Sequence, residues 1–218
     1  MDLETVDHLL TTTRSVRKRL DLSRPVEPEV IEKCIEISLQ SPTGSNTQGW
    51  RVVVVTDANK RKAIADYYAA AFKVYSDPEQ PMVELPAEGT LRAEQLPRVL
   101  SSATYLAEHL HEVPVFVIYC IEGRVEETPT VMQASIYGSI LPAAWSFMLA
   151  ARSRGLGSAW TTLHLINEKE TSELLGIPEN FTQTVLLPVA YYTGSDFKPA
   201  KRTPATELTY WESWGNGR

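Results

Sequence analysis

The 218-residue sequence predicts an α/β or α+β fold, with helices covering both faces of a small sheet. Three observations carry that expectation. Segments with apolar residues at helical spacing recur along the chain, and about four short apolar runs lie between them. The clearest run, Trp50-Arg51-Val52-Val53-Val54-Val55-Thr56, is rich in β-branched residues and does not alternate, which predicts a strand buried on both faces. No internal repeat or low-complexity tract breaks the pattern.

In chain order, Leu3, Val6, Leu9 and Leu10 have helical spacing over residues 3–13. Glu27-Pro28-Glu29 opens a second helix, because proline suits its first turn and acids suit its positive end. Its apolar stripe is Val30, Ile31, Cys34, Ile35, Ser38 and Leu39. A loop through Pro42–Asn46 leads to the strand at 50–56. Asp57 caps a helix to Tyr75, and the proline-rich segment 76–90 is expected to be a lid-like loop. Helix over 91–112 and a buried strand over 113–121 follow. A long apolar helix spans 131–154, with Pro142 a candidate kink and Gly155 its stop. A short strand near 158–161, a helix from Asn167 to Gly176 and a strand over 185–192 complete the body. The tail after Tyr192 holds Trp211 and Trp214, which would be costly as an exposed patch.

The formal net charge of −6 excludes a whole-protein basic field, so no nucleic-acid partner is expected. Cys34 and Cys120 form no CxxC, which removes zinc-ribbon and thioredoxin chemistry and leaves two buried thiols. His109 and His111 diverge on a helix and make a poor metal pair. Gly155-Leu156-Gly157 lacks a third glycine and follows a helix, so it is no dinucleotide fingerprint. No G-x-S-x-G is present. With no leader pattern at the N-terminus and no run of 18 or more apolar residues, a cytoplasmic protein without a membrane partner is expected.

Three clusters carry candidate chemistry. Arg14-Ser15-Val16-Arg17-Lys18-Arg19 suits a phosphate, through bidentate guanidinium groups and a hydroxyl. It also reads as a solvated basic face. Ser41-Pro42-Thr43-Gly44-Ser45-Asn46-Thr47-Gln48-Gly49-Trp50 combines small residues, which admit a ligand close to the backbone, with two amides. Those amides both donate and accept, which suits a ring edge bearing an N–H and a carbonyl. They serve equally to cap a turn. Pro199-Ala200-Lys201-Arg202-Thr203-Pro204 is basic again, or again a solvated loop.

Taken in order, these segments resemble the nitroreductase family. Arg14-Ser15-Val16-Arg17 looks like its R-S-x-R element. Pro42–Trp50 looks like its loop into a strand, with Gly49 in place of proline. Gly155-Leu156-Gly157 with Trp160-Thr161-Thr162-Leu163, then Lys201-Arg202-Thr203-Pro204 and the aromatic Tyr210–Trp214, are similar to its later elements. The chain departs from the family at Thr13, where another arginine is usual, and at Arg19, where an aromatic is usual. A core-helix glutamine is replaced near Ser139 or Trp145.

The resemblance implies one α+β domain over 1–218, with a central mixed sheet of four to five strands between helices. It implies a domain-swapped homodimer whose tail, 193–218, packs on the partner. It implies bound FMN and hydride transfer from NADH or NADPH to a nitroaromatic, quinone or similar small molecule. Arg14, Ser15 and Arg17 would hold the phosphate and ribityl chain with Lys201 and Arg202. Arg17 and Arg202 are expected on one phosphate. Pro42, Thr43, Gly44 and Asn46 would come from the other subunit to line the isoalloxazine. The backbone at Thr161, Thr162 and Leu163 would face its N5 and O4 side. Dehalogenation, FMN fragmentation and flavin binding without turnover are the alternatives. His164 and the aromatics Tyr67, Tyr68, Phe72 and Tyr75 lie nearby, the histidine in a structural role.

Overall fold

The computed structural model describes residues 2–77, 79, 82 and 84–217, so the expected lid at 76–90 lies partly outside the described residues. The elements are α1 (Leu3–Thr12), α2 (Pro28–Ser38), β1 (Trp50–Val55), α3 (Ala58–Tyr75), α4 (Leu91–His109), β2 (Val115–Glu122), α5 (Thr130–Arg152), β3 (Leu156–Ser158), α6 (Glu168–Leu175), β4 (Phe181–Tyr191) and α7 (Ala205–Leu208). Single 3-10 turns lie at Gly44–Asn46, Leu110–Glu112 and Leu163–Asn167. Asp57 accepts from the Lys60 amide at 2.9 Å to start α3, as its position in the sequence requires.

The strands form one sheet in the order β1-β2-β4-β3, and every ladder is antiparallel. Parallel pairing is confined to the isolated bridges Ser15–Ser158 and Gly123–Phe181. Residues 115–121 and 182–190 are buried throughout. Alternate side chains divide between two cores. Val117, Tyr119, Ile121, Leu187 and Val189 meet α2 and α5, while Phe116, Ile118, Cys120 and Leu186 meet α3 and α4.

Burial on both faces holds for β2 and β4 but not for β1. β1 is the sheet edge, so Arg51 is exposed and Val54 keeps 40% exposure. A run of valines reads the same at an edge as at the centre. β4 begins four residues before the expected Val185, because its polar start is satisfied inside. Thr182 Oγ1 donates to Gly123 O at 2.6 Å, Gln183 Nε2 to Ser172 Oγ at 2.8 Å, and Thr184 Oγ1 to Tyr119 O at 2.9 Å. β3 forms at 156–158 rather than 158–161, and Thr161 instead exchanges two backbone hydrogen bonds with Leu186.

α5 is long and apolar enough, by length and composition, to cross a membrane, which the absence of an unbroken apolar run had not suggested. Its buried residues, Ile140, Ala143, Ala144 and Phe147 among them, pack in the core with α2, β2 and β4. Pro142 lies within one continuous helix. Val131, Met132, Tyr137 and Trp145 remain exposed on α5, as do Leu3 and Leu10 on α1.

Candidate functional site

The segment after α1 is pinned to the end of β3. Val16 N–H donates to Ser158 O at 2.8 Å, and Ser15 Oγ accepts from the Trp160 amide at 3.1 Å. A Cβ on Gly157 would stand 3.0 Å from Val16 Cβ, so only glycine allows this close approach. The segment's extended course sends Arg14 and Arg17 to different places. Arg14 Nη1 donates to Lys198 O at 3.1 Å. It lines a cleft of about 360 Å³ with Leu10, Thr11, Thr13, Trp145, Pro199, Ala200 and Arg202. Arg17 turns toward α3 and α4, half-buried beside Tyr68 and Tyr75, with one long hydrogen bond to Ser102 Oγ at 3.4 Å. Burial pulls its pKa below the ordinary guanidinium value.

The start of the tail is clamped to the body by residues the sequence reading did not single out for this. Arg19 Nε donates to Thr193 O at 2.7 Å, and its guanidinium lies 4.1 Å from the Phe197 ring. Arg152, its side chain 11% exposed, is paired with Asp196, donates to Tyr192 Oη at 2.8 Å, and lies 5.1 Å from both the Tyr192 and Phe197 rings. His8 also reaches Asp196. Two arginines, Arg152 and Arg154, end an apolar helix in the sequence, which was the available signal for Arg152. Farther on, Lys201 O accepts from Gln95 Nε2 at 3.3 Å. These contacts set Pro199, Ala200 and Arg202 opposite Thr13 and Arg14.

None of Arg14, Arg17, Lys18, Lys201 and Arg202 is ion-paired among the described residues. Arg124 and Arg152, by contrast, are paired with carboxylates. A partly desolvated guanidinium without a counter-ion is costly and suits a bound anion. Arg14 and Arg202 line one cleft, and Arg17 is not among the residues that line it. Arg17 and Lys201 abut α4 at Ser102 and Gln95, about two helical turns apart.

The 42–48 loop sits elsewhere on α5. Gly44 N–H donates to Ser139 Oγ at 2.9 Å, and a Cβ on Gly44 would lie 2.5 Å from Ser135 Oγ. Ser45, Asn46 and Gln48 all have positive φ, at 51°, 54° and 51°. Pro42 lines an apolar groove of about 590 Å³ with Leu9, Ile37, Pro142 and Leu149. Trp145 walls both this groove and the arginine cleft, so Pro42 lies across the indole from Arg14 and Arg202.

At the third expected segment, Thr161 is buried, and its hydroxyl donates to Leu186 O at 2.7 Å. Its side chain is therefore occupied. Thr162 is exposed, and Leu163 packs into the core on the α3 side. His164 is fully buried, and neither ring nitrogen has a hydrogen-bond partner among the described residues. Burial pulls its pKa down to about 3, which keeps the ring neutral.

The Nitroreductase family model matches residues 10–191. The chain is 24% identical over 185 residues to a protein of Archaeoglobus fulgidus named as an NADH dehydrogenase/NAD(P)H nitroreductase, covering 84% of this chain and 83% of that one. It is 29% identical over 198 residues to an iodotyrosine deiodinase of Daphnia pulex, covering 89% and 62%. The FMN-dependent nitroreductase of Mycobacterium smegmatis, solved with NADPH, shares the fold at a TM-score of 0.69 and 21% identity, over 97% of this chain and 100% of that one. The family match takes in the whole sheet and the segments at 14–17, 42–46 and 161–163, and ends before Lys201 and Arg202. This chain belongs to the nitroreductase family.

Proposed function

We propose that the protein is an FMN-dependent oxidoreductase that takes hydride from NADH or NADPH and reduces a nitroaromatic, a quinone or a similar small acceptor. The observation that carries this is a small cleft lined by two arginines without an ion pair, Arg14 and Arg202, with Arg17 nearby in sequence, partly desolvated and lacking a counter-ion among the described residues. That set fits a single phosphate with its attached chain and ring. Arg14, Arg202 and Lys201 would hold the phosphate, and Ser15 and Arg17 the chain and ring. Thr162, Leu163 and the Thr161 backbone would border the N5 and O4 side. Pro42, Thr43, Gly44 and Asn46 of a second copy would line the ring. When bound, FMN supplies the hydride chemistry; the chain contributes binding, orientation and electrostatics. No side chain is assigned as general acid or base. Use of one site by two substrates in turn gives ping-pong kinetics.

Purified protein is expected to be yellow, to bleach anaerobically with NADH or NADPH, and to recolour with a nitroaromatic or quinone. Protein that stays colourless after incubation with FMN would rule the reading out. The 29% identity to an iodotyrosine deiodinase supports a second reading, reductive dehalogenation. Iodide release from 3-iodotyrosine by the dithionite-reduced protein distinguishes it.

A further inference from the structure

We infer that Gln48 is a positioning residue that fixes which end of the Asn46 carboxamide faces the ligand, so that Asn46 presents its NH2, a donor. The inference rests on the reading that this loop meets the flavin. Gln48 Nε2 donates to Asn46 Oδ1 at 3.1 Å. The Asn46 carbonyl is thereby turned back into the loop and its NH2 outward; that Nδ2 has no partner among the described residues. The Gln48 backbone N–H donates to Thr43 Oγ1 at 3.2 Å, which leaves the Thr43 hydroxyl proton to be given to another group. Asn46 N–H donates to Thr43 O at 3.1 Å, closing the loop on itself.

The backbone supports the same assignment. Left-handed φ at Asn46 and Gln48 is what points both side chains to the same side of a tight turn. Asparagine tolerates that region, and glutamine does so at a cost. A glutamine held there is strained for the sake of a contact, and its contacts are Asn46 and Thr43. The expectation of amides that both donate and accept therefore narrows. At Asn46 the loop suits a ligand acceptor, a carbonyl oxygen or an imine nitrogen, and not an N–H. On a pyrimidinedione-type ring this selects a carbonyl as the atom met by Asn46.

The test is a double-mutant cycle on FMN binding, read as the dissociation constant and as the infrared carbonyl bands of bound FMN. Asn46→Ala is expected to weaken FMN binding roughly three- to tenfold, the worth of one neutral hydrogen bond. Gln48→Leu, which frees the Asn46 amide to rotate, is expected to weaken it less and to move a flavin carbonyl band to higher frequency. Gln48→Glu offers only acceptors, turns the Asn46 NH2 inward, and should exceed Gln48→Leu in both readouts. In an Asn46→Ala background Gln48→Leu should have no effect. Gln48→Lys, which keeps a donor, should retain the wild-type bands; loss of those bands would count against the role, even if Gln48→Leu failed to fold. If Gln48→Leu changes nothing while Asn46→Ala weakens FMN, the positioning role is overturned and the flavin reading stands. An equal effect of Gln48→Leu with and without Asn46 overturns it too. If Asn46→Ala leaves FMN affinity unchanged, the flavin reading of this loop fails and the inference falls with it.

Discussion

At the residue scale, the arginines divide into clamps and vacancies of charge. Arg152 and Arg124 are paired with carboxylates, whereas Arg14 and Arg202 reach backbone oxygens and Arg17 a serine hydroxyl. The sharing of one cleft by Arg14 and Arg202 gives a definite expectation. Arg14→Ala and Arg202→Ala should each weaken FMN binding roughly tenfold, and the double variant should lose less than the product, since neighbours on one ligand group couple. Arg17→Ala should weaken binding roughly ten- to a hundredfold. The apoprotein should be no less stable in urea for losing Arg17, because an unpaired, partly desolvated cation is removed. Flavin titrations and apoprotein urea melts of the four variants check this; a destabilised Arg17→Ala apoprotein would mark that residue as structural. The sequence made the basic residues visible as candidates but not their partition. Arg14 and Arg17 are three apart, and only the pairing of Val16 with Ser158 decides that they diverge.

At the element scale, the 3-10 turn Leu163–Asn167 ties the proposed flavin-facing backbone to a buried, unpartnered imidazole. The native pKa of His164, about 3, lies below the ordinary value near 6.5, so the unfolded chain binds a proton that the native one refuses. The stability conferred by a neutral His164 is complete above pH 6.5 and is lost progressively as the pH falls toward 3. The loss approaches roughly 1.4 kcal/mol per pH unit within that window. Urea denaturation at pH 7, 6 and 5 should show a shallower acid decline for His164→Leu than for wild type. Identical declines would mean that the ring is not dehydrated in solution. Helices and central strands were legible from period and composition. The start of β4 was not, because Thr182-Gln183-Thr184 is polar and lacks an apolar strand run; Gly123, Glu168, Ser172 and Tyr119 supply its partners. Nor was β1 as an edge, since its four valines say strand and nothing of what lies beside it.

At the scale of the whole molecule, apolar surface is left uncovered along α1 and α5 and on the tail. Trp145 walls the groove between α1, α2 and α5, Leu3 and Leu10 are exposed on α1, and Trp214 at the tail is 91% exposed. Tyr210 and Trp214 stack on one another at 4.9 Å rather than on the body. Patches of this kind mark association surfaces. We therefore expect an FMN-loaded homodimer in which the tail of each copy covers the other. Sedimentation should show a dimer, and deleting the residues after Thr206 should lower both its stability and its flavin retention. A stable, flavin-loaded monomer would sink that assembly. The sequence pointed to this through its tail tryptophans and apolar helix. Which face of α5 is bare depends on how α2 and the sheet cover the other.

The cleft walled by residues 10–14, Trp145 and residues 199–202 is assembled from segments far apart in the sequence. Its closure depends on Arg19 and Arg152 reaching Thr193, Asp196 and Phe197. On a ribosome, residues 10–14 emerge well before residues 199–202, since synthesis runs from the N-terminus. Almost the whole loop between them must close before the phosphate has a place to bind. A nascent chain, or one cut short before Arg202, can thus build the sheet and its two cores yet own half a cleft. A product cut short before Arg202 is therefore expected to bind FMN more weakly than one that carries both walls of the cleft.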